Sequence, residues 1–474
     1  MHPATVIVIA IYMVGILLMG FFLSKNVKST KDYIVASRSA NRYIVAFSIA
    51  ATWISGATLI AATGMGVSQG SSTYLQYLGF MGATVWFGIY LMPKLRKLRV
   101  MTTPQAIEIY YGKNARTIAT ALVMIRDFAA TAGTITATAL LATQVFNIEL
   151  WVALLLTFVF VVVYIILAGQ HAVLWTDTIM FFILFIAMVL IVIFGVVECG
   201  GWAAFANSIS DKQKTFLGSS GLSQISAWII MGSLVTIGYQ SVVQRGYSAK
   251  SEEDARWGFV VGGLLGIFIY MFPFIFSMIA VALYGVDIEP STAYYALISN
   301  LFNPVLFGIA IAGFLASSMS SVSSTLLSIG SNLSVDIIGR IKPNIPEKKM
   351  MVFNRINIVI AALLSLYFAY LLPMVQELFY IGGRILGAGL SPYIIAIVFF
   401  PDLRKYQRSV TAAMIGGGVA TTFFIMFGRT VSVTANIVNI WAFDPIYPGL
   451  IANFAVLFIG IMMEKKANAK SYGV

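Results

Sequence analysis

Charge is scarce in this chain. Of its 474 residues, 59% are hydrophobic and only 10% are Asp, Glu, Lys or Arg, with a mean hydropathy of +0.90. A soluble domain of that length carries far more charge, so the composition points to a polytopic membrane protein. Cysteine is scarcer still. Cys199 stands alone, which excludes an internal disulfide and a cysteine metal cluster. The two histidines, His2 and His171, cannot between them build a histidine metal site. A GxxxxGK[ST] phosphate loop is also missing, so ATP-driven work lacks its usual residues, and the buried serines lack a nearby histidine base for hydrolysis, with His171 expected in a loop. No charged segment precedes the first apolar run, and that run is too long for a signal peptide.

What charge there is sits almost wholly in short segments between apolar runs. The net charge of +12 would suggest nucleic acid in a soluble protein, but here it fits membrane topology, and nucleic acid is not the expected partner. Apolar runs long enough to span a bilayer fall at about 4–24, 43–69, 73–93, 117–145, 149–169, 171–197, 224–244, 257–284, 304–335, 350–372, 374–400, 409–428 and 446–463. The expected fold is thus an all-α integral membrane protein of thirteen transmembrane helices. Placing the N-terminus outside puts 25 Lys/Arg in the inner segments and only Lys212, Lys214 and Arg429 outside. The positive-inside rule then sets the N-terminus outside and the C-terminus in the cytoplasm. Arg126 and Arg384 remain, each about ten residues into a span, ~15 Å deep at the helical rise. The short loops suggest a cell (inner) membrane carrier and a monomer.

Residues 316–325 read ASSMSSVSST, six serines and a threonine inside an apolar span. At helical spacing Ser317, Ser320, Ser321 and Ser324 share one face. Hydroxyls and carbonyls can replace the water shell of a hard cation such as sodium without adding full charge. Serines in membrane helices also bond back to their own backbone or let helices pack closely, and for any single serine here that reading is at least as good. Two spans have weak, polar, glycine-containing middles: ISGAT at 54–58 and GSLVTIGYQ at 232–240. Interrupted spans at matching positions of two halves are the best sequence pointer to a transport site. An ion channel is a weaker alternative, because the polar residues gather at one depth instead of lining a whole pore.

The stretch QSVVQRGYSAKSEEDA at 240–255, the triplet Trp175-Thr176-Asp177, the serine-rich ASSMSSVSSTLLSIGSNLSVD and the interrupted AATWISGATLIAATG resemble the sodium:solute symporter family, in family order and over essentially the whole chain. The resemblance implies a LeuT-type fold. Residues 1–42 would be an extra helix and loop, 43–197 and 224–400 two five-helix inverted repeats (spans 2–6 and 7–11), and 401–474 two further helices and a tail. The implied function is sodium-coupled import of a small polar organic solute by alternating access.

Carried over residue by residue, the first sodium would meet the carbonyls of Ala51, Ile54 and Ser317 and the hydroxyls of Ser320 and Ser321. A second, held in some members, would lie between Asp177 and Ser320, Ser323 and Ser324. A proton carried by Asp177 is the alternative coupling ion. Ser55 and Thr58 match solute-contacting positions. Trp53 stands where some members have an aspartate, which argues against simply assuming a proline-type solute. Gln76, Tyr239 and Gln240 are candidate lining residues. The guanidinium groups of Arg384 and Arg126 suit a carboxylate, so an anionic solute such as a sialic, amino or other organic acid is one expectation. A structural ion pair, with Glu377 as the neighbour of Arg384, is the other.

Overall fold

Helices dominate the computed structural model, which describes residues 2–25, 27–215, 218–372, 375–427, 429–431, 437–439 and 443–471. In chain order the principal ones are α1 (Pro3–Ser24), α2 (Arg42–Trp53), α3 (Gly56–Gln69), α4 (Ser72–Tyr90), α5 (Thr103–Phe146), α6 (Leu150–Glu198), α7 (Leu222–Gly238) and α8 (Gln240–Ser248). They continue with α9 (Glu252–Ile269), α10 (Met271–Tyr284), α11 (Pro304–Ser331), α12 (Glu347–Leu371), α13 (Val375–Gly389), α14 (Ser391–Phe399), α15 (Gln407–Phe427) and α16 (Ile446–Ser471). Among the described residues, nine helical stretches are long and apolar enough to cross a membrane, or eleven when two bent pairs each count as one span. Leu150–Ile166 is a shorter apolar helix. The described strand is a small antiparallel ribbon, Arg429–Val431 against Ile437–Asn439.

Local chemistry sets the element boundaries. The Asn41 side chain accepts from the amides of Tyr43 and Ile44, both at 3.0 Å, and starts α2. Thr102 and Gln105 form a reciprocal capping box at the head of α5, with Pro104 in its first turn. The Asn303 side chain caps α11 by accepting from the amides of Val305 and Leu306, ahead of Pro304. The run Leu150–Glu198 turns sharply at Gly169, whose φ of +58° favours glycine, and a Cβ there would meet the Tyr33 ring at 2.9 Å.

The two bent pairs create the centre of the molecule. α2 and α3 meet at 55° across Ile54–Ser55, and α7 and α8 meet at 44° across Tyr239. Both breaks fall within the polar middles of the sequence. α11 packs beside them and is almost wholly buried, whereas α1 and α16 lie at the periphery.

The basic segments converge on one end. Arg42 pairs with Asp254 at 3.0 Å, Arg96 donates to the Ala249 carbonyl at 2.8 Å, and Ala40 bridges Ala249. Arg116 donates to Asp336 at 2.8 Å and to Glu108 at 2.5 Å. These contacts close what is called here the basic end.

One assignment changes. Hydropathy alone ends the seventh span at 244 and leaves Arg245 in a loop, yet α8 continues through Ser248 and Arg245 is 1% exposed. The apolar run ends where the arginine begins, but the helix and its burial do not.

Candidate functional site

The break in α2/α3 determines what faces the centre. Helix ends leave backbone carbonyls and amides without helical partners. The last turn of α2 therefore presents carbonyls, and the first turn of α3 presents amides, at one point. The Ser321 hydroxyl of α11 donates to the Thr52 carbonyl at 3.1 Å, and the Tyr270 hydroxyl donates to the Trp53 carbonyl at 2.5 Å. Close approach requires glycine here: a Cβ on Gly56 would lie 2.1 Å from Ser318 Oγ and 2.6 Å from Phe314 Cζ.

Around this point lies a small chamber with a cavity volume of about 50 Å³. Both broken helices reach it, through Trp53, Ser55 and Thr58 on one side and Tyr239 on the other. Gln76, Tyr77 and Phe80 of α4, Thr134 of α5, Ser321 and Thr325 of α11, and Phe379 and Tyr380 of α13 complete much of the wall. Among the described residues, no charged side chain lines it. Aromatic rings dominate: Tyr77 stacks on Tyr270 at 4.1 Å, and Trp53 meets Phe80 and Tyr239 edge-on at 5.6 and 5.5 Å. On one side of the chamber the Gln76 amide donates to the Tyr380 hydroxyl at 2.6 Å.

Most of the chamber's hydroxyls are already engaged. Thr134 bonds back to Ala130, Thr325 to Ser321, and Ser55 and Thr58 cap each other. The Trp53 indole N–H and the Gln76 carbonyl oxygen are buried without partners.

The serines of α11 divide by what they already do. Ser317 bonds back to the Phe314 carbonyl at 2.7 Å and Ser323 to the Ser320 carbonyl at 3.1 Å. Ser324 bonds back to the Ser320 carbonyl at 2.5 Å and accepts from Arg245 at 2.6 Å. Ser320 differs: its hydroxyl is buried beside Asp177 but makes no hydrogen bond of normal geometry. Asp177 accepts from Ser48 and from Arg245, both at 2.6 Å, through one oxygen, and its other oxygen has no partner. Arg245 also donates to Ser48 at 2.7 Å and to the Ser241 carbonyl at 2.5 Å.

Of the candidate solute contacts, Trp53, Ser55, Thr58, Gln76 and Tyr239 line the chamber. Gln240 does not. Its oxygen accepts from the Thr103 amide at 3.0 Å and its amide donates to Asn332 at 2.8 Å, tying α8 to α5 and to the π-helical continuation of α11. Arg384 is also outside the chamber, held bidentate by Asp444 at 2.9 and 2.5 Å. That fork is the ion-pair alternative, with Asp444 in the role expected of Glu377. Arg126 lies behind the rings of Tyr239 and Phe379, and the adjacent Asp127, although on a different face of the helix, reaches its Nη1 at 3.3 Å. A long arginine side chain can fold back to its sequence neighbour even when the two Cβ atoms diverge.

Arg245, Ser48 and Asp444 escaped the sequence reading. For Arg245 the signal was available, since it lies four residues after Ser241 in the stretch following a helix break. Asp444 is 60 residues from its partner, and no local pattern announces it.

The chain is 25% identical to a sodium/proline symporter of Staphylococcus aureus, over 98% of this chain and 94% of that protein. A sodium/proline symporter of Haemophilus influenzae is 27% identical over 88% of this chain and 87% of its own. Among solved structures, a Na+-coupled sialic acid symporter in a substrate-bound, outward-open state superposes with a TM-score of 0.82 at 20% identity, covering 97% of this chain and 96% of that one. A nucleobase-cation-symport-1 family transporter in a closed conformation superposes with a TM-score of 0.60 at 14% identity, over 93% and 95% of the two chains. The pattern of the sodium:solute symporter family matches residues 33–428, and the chain belongs to that family.

Proposed function

We propose that this protein is a sodium-driven importer of a small carboxylate-bearing solute. One observation carries the reading: a helix break joined to a serine-rich helix by the Ser321–Thr52 contact, at the wall of a chamber without charge. Sodium would take the carbonyls of Ala51, Ile54 and Ser317 with the hydroxyls of Ser320 and Ser321. The Ser320 hydroxyl supports this set, because a buried hydroxyl without a hydrogen bond of normal geometry is costly unless another state of the protein uses it. Ser320 and the free oxygen of Asp177 would form the heart of a second sodium seat, with Ser323 and Ser324 beside them. There Arg245 already offsets the aspartate's charge.

The solute would lie among the aromatic rings, its carboxylate toward sodium and the amides of Gly56 and Ala57 at the positive end of α3. Chamber size supports an amino-acid-sized molecule. At ~10–15 Å³ of cavity per water and ~30 Å³ of liquid per water, 50 Å³ holds about three to five waters, or ~100–150 Å³ of liquid. Proline suits that volume, whereas sialic acid requires the lining to open. The shortage of unpaired polar groups also argues against a solute with many hydroxyls, since each would remain unmatched.

The proposed topology has thirteen crossings, repeats at 43–197 and 224–400 flanked by 1–42 and 401–474, the basic end in the cytoplasm, the N-terminus outside, and a monomer in the cell membrane. The work is gradient-driven, with one half of the bundle rocking against the other.

The test is thermal stability of the purified chain in sodium against potassium, across amino acids, short organic acids and sugars, followed by uptake into liposomes. A sodium-specific stabilisation that grows with carboxylates supports the proposal by linkage. Uptake that follows pH and ignores sodium would transfer coupling to a proton at Asp177, and sodium current without saturable solute flux would favour a channel.

A further inference from the structure

Arg126 is the least explained charge in the molecule. It is 1% exposed, and its Nε and Nη2 make no hydrogen bond. Among the described residues its one carboxylate contact is from Nη1 to Asp127 Oδ1, at a long 3.3 Å. Its guanidinium carbon is 3.3 Å from the centre of the Tyr239 ring and 4.9 Å from that of Phe379, two rings that also line the chamber. Along α5, Arg126 lies one turn from the chamber-lining Ala130, toward the basic end. A Cβ on Gly382 would come 2.9 Å from the Arg126 Cα, so α13 closes over that face of α5.

Resting on the reading that the solute carries a carboxylate, we propose that Arg126 is a second carboxylate station. In this conformation the Tyr239 ring screens it from the chamber, and it receives the solute on its way toward the basic end. Two buried N–H donors with no acceptor cost free energy in the closed state, and a state that supplies an acceptor recovers it. Nε and Nη2 lie along one edge of the guanidinium and match the two oxygens of a carboxylate. The screen sits at a joint: Tyr239 is the extended residue between α7 and α8, with φ −72° and ψ 94°. The amides of Val242 and Val243 bond its carbonyl at 3.1 and 3.0 Å, so its ring moves with α8. A tilt of α8 against α5 withdraws the ring and exposes the guanidinium to the solute. Asp127 remains beside the station, and its charge keeps the anion from binding too tightly to leave.

The experiment is arginine labelling of the full-length purified chain by phenylglyoxal, with adducts located by mass spectrometry. Arg126 is expected to be protected in sodium, which favours the closed state, and labelled in potassium. In potassium, L-proline, L-lactate or acetate should slow its labelling about tenfold, while L-prolinamide and acetamide do not. Tyr239→Ala should expose Arg126 in both cations, with the same carboxylate protection. If sodium drives uptake but Arg126 is never labelled, or is labelled without carboxylate protection, the station is wrong and the transport reading stands. If neither labelling nor uptake distinguishes sodium from potassium, the transport reading itself fails.

Discussion

Replacing Ser320 with alanine separates ion binding from folding. The Ser320 hydroxyl is buried beside Asp177 and makes no hydrogen bond of normal geometry, so its removal breaks at most a poorly aligned contact to that carboxylate. In potassium the variant should be as stable as the parent or ~1 kcal/mol more stable, because an unsatisfied polar group is gone. In sodium it loses one of five proposed ligands. At ~1.5 kcal/mol for a contact to a charged group, at the lower end of the usual range, affinity falls about tenfold. A parent held at a hundred times its dissociation constant gains ~2.7 kcal/mol from sodium, and a tenfold weaker site gains ~1.4 kcal/mol at the same concentration. Roughly half of the sodium-induced stabilisation should therefore disappear. Ser317→Ala is the control: its hydroxyl bonds back to Phe314 at 2.7 Å and only its carbonyl is proposed to touch the ion. Scanning calorimetry in matched sodium and potassium series measures both. If Ser320→Ala keeps the full sodium shift, or Ser317→Ala loses as much, the assignment of ligands on α11 is refuted.

Breaking the Arg384–Asp444 fork by Arg384→Ala or Asp444→Ala should cost ~3–5 kcal/mol, and the double variant should recover much of it; a change in solute half-saturation instead of stability would return Arg384 to the solute site. Gly56→Ala forces a methyl group to 2.1 Å from Ser318 Oγ and 2.6 Å from Phe314 Cζ, so sodium-dependent uptake should fall by an order of magnitude or more in protein that still folds. Normal uptake would mean that the contact yields freely. Tyr380→Phe removes the acceptor of the 2.6 Å bond from Gln76 and should speed solute dissociation about tenfold, at ~1 kcal/mol or slightly more for a buried bond. Stopped-flow release at constant sodium measures it, and an unchanged rate would show that the bond does not hold the chamber shut.

Hydropathy and residue chemistry made the helices, the two breaks and the importance of α11 legible, because each has a local cause. Apolar length announces a span, and glycine with polar neighbours announces a weak point, as at 54–58 and at 239. Neighbourhood across the chain leaves no such mark. Ser320 and Ser323 look alike in sequence, yet one makes no hydrogen bond of normal geometry and the other is bonded to its own backbone. Arg384 and Arg126 looked alike as deep guanidinium groups, but one found a carboxylate 60 residues away and the other only aromatic faces and a weak neighbour. Gln240 has the chemistry of a lining residue and is used as a brace. Side-chain direction near a helix break depends on the bend itself, which composition does not encode.

The tie between α13 and the last helix concerns how the chain can be divided. Asp444 holds Arg384 and also caps α16 by accepting from the Ile446 amide at 3.0 Å. Further along, Asn453 donates to the Ala388 carbonyl at 2.7 Å and accepts from the Tyr393 hydroxyl at 2.6 Å. A chain cut ahead of Asp444 would keep every proposed sodium ligand and the whole chamber wall, yet it would strand a guanidinium in the membrane and strip polar partners from the bend between α13 and α14. The final helix is therefore a keel fixed to a chamber-lining wall. The smallest unit able to operate as this carrier extends past the transport site to the last span.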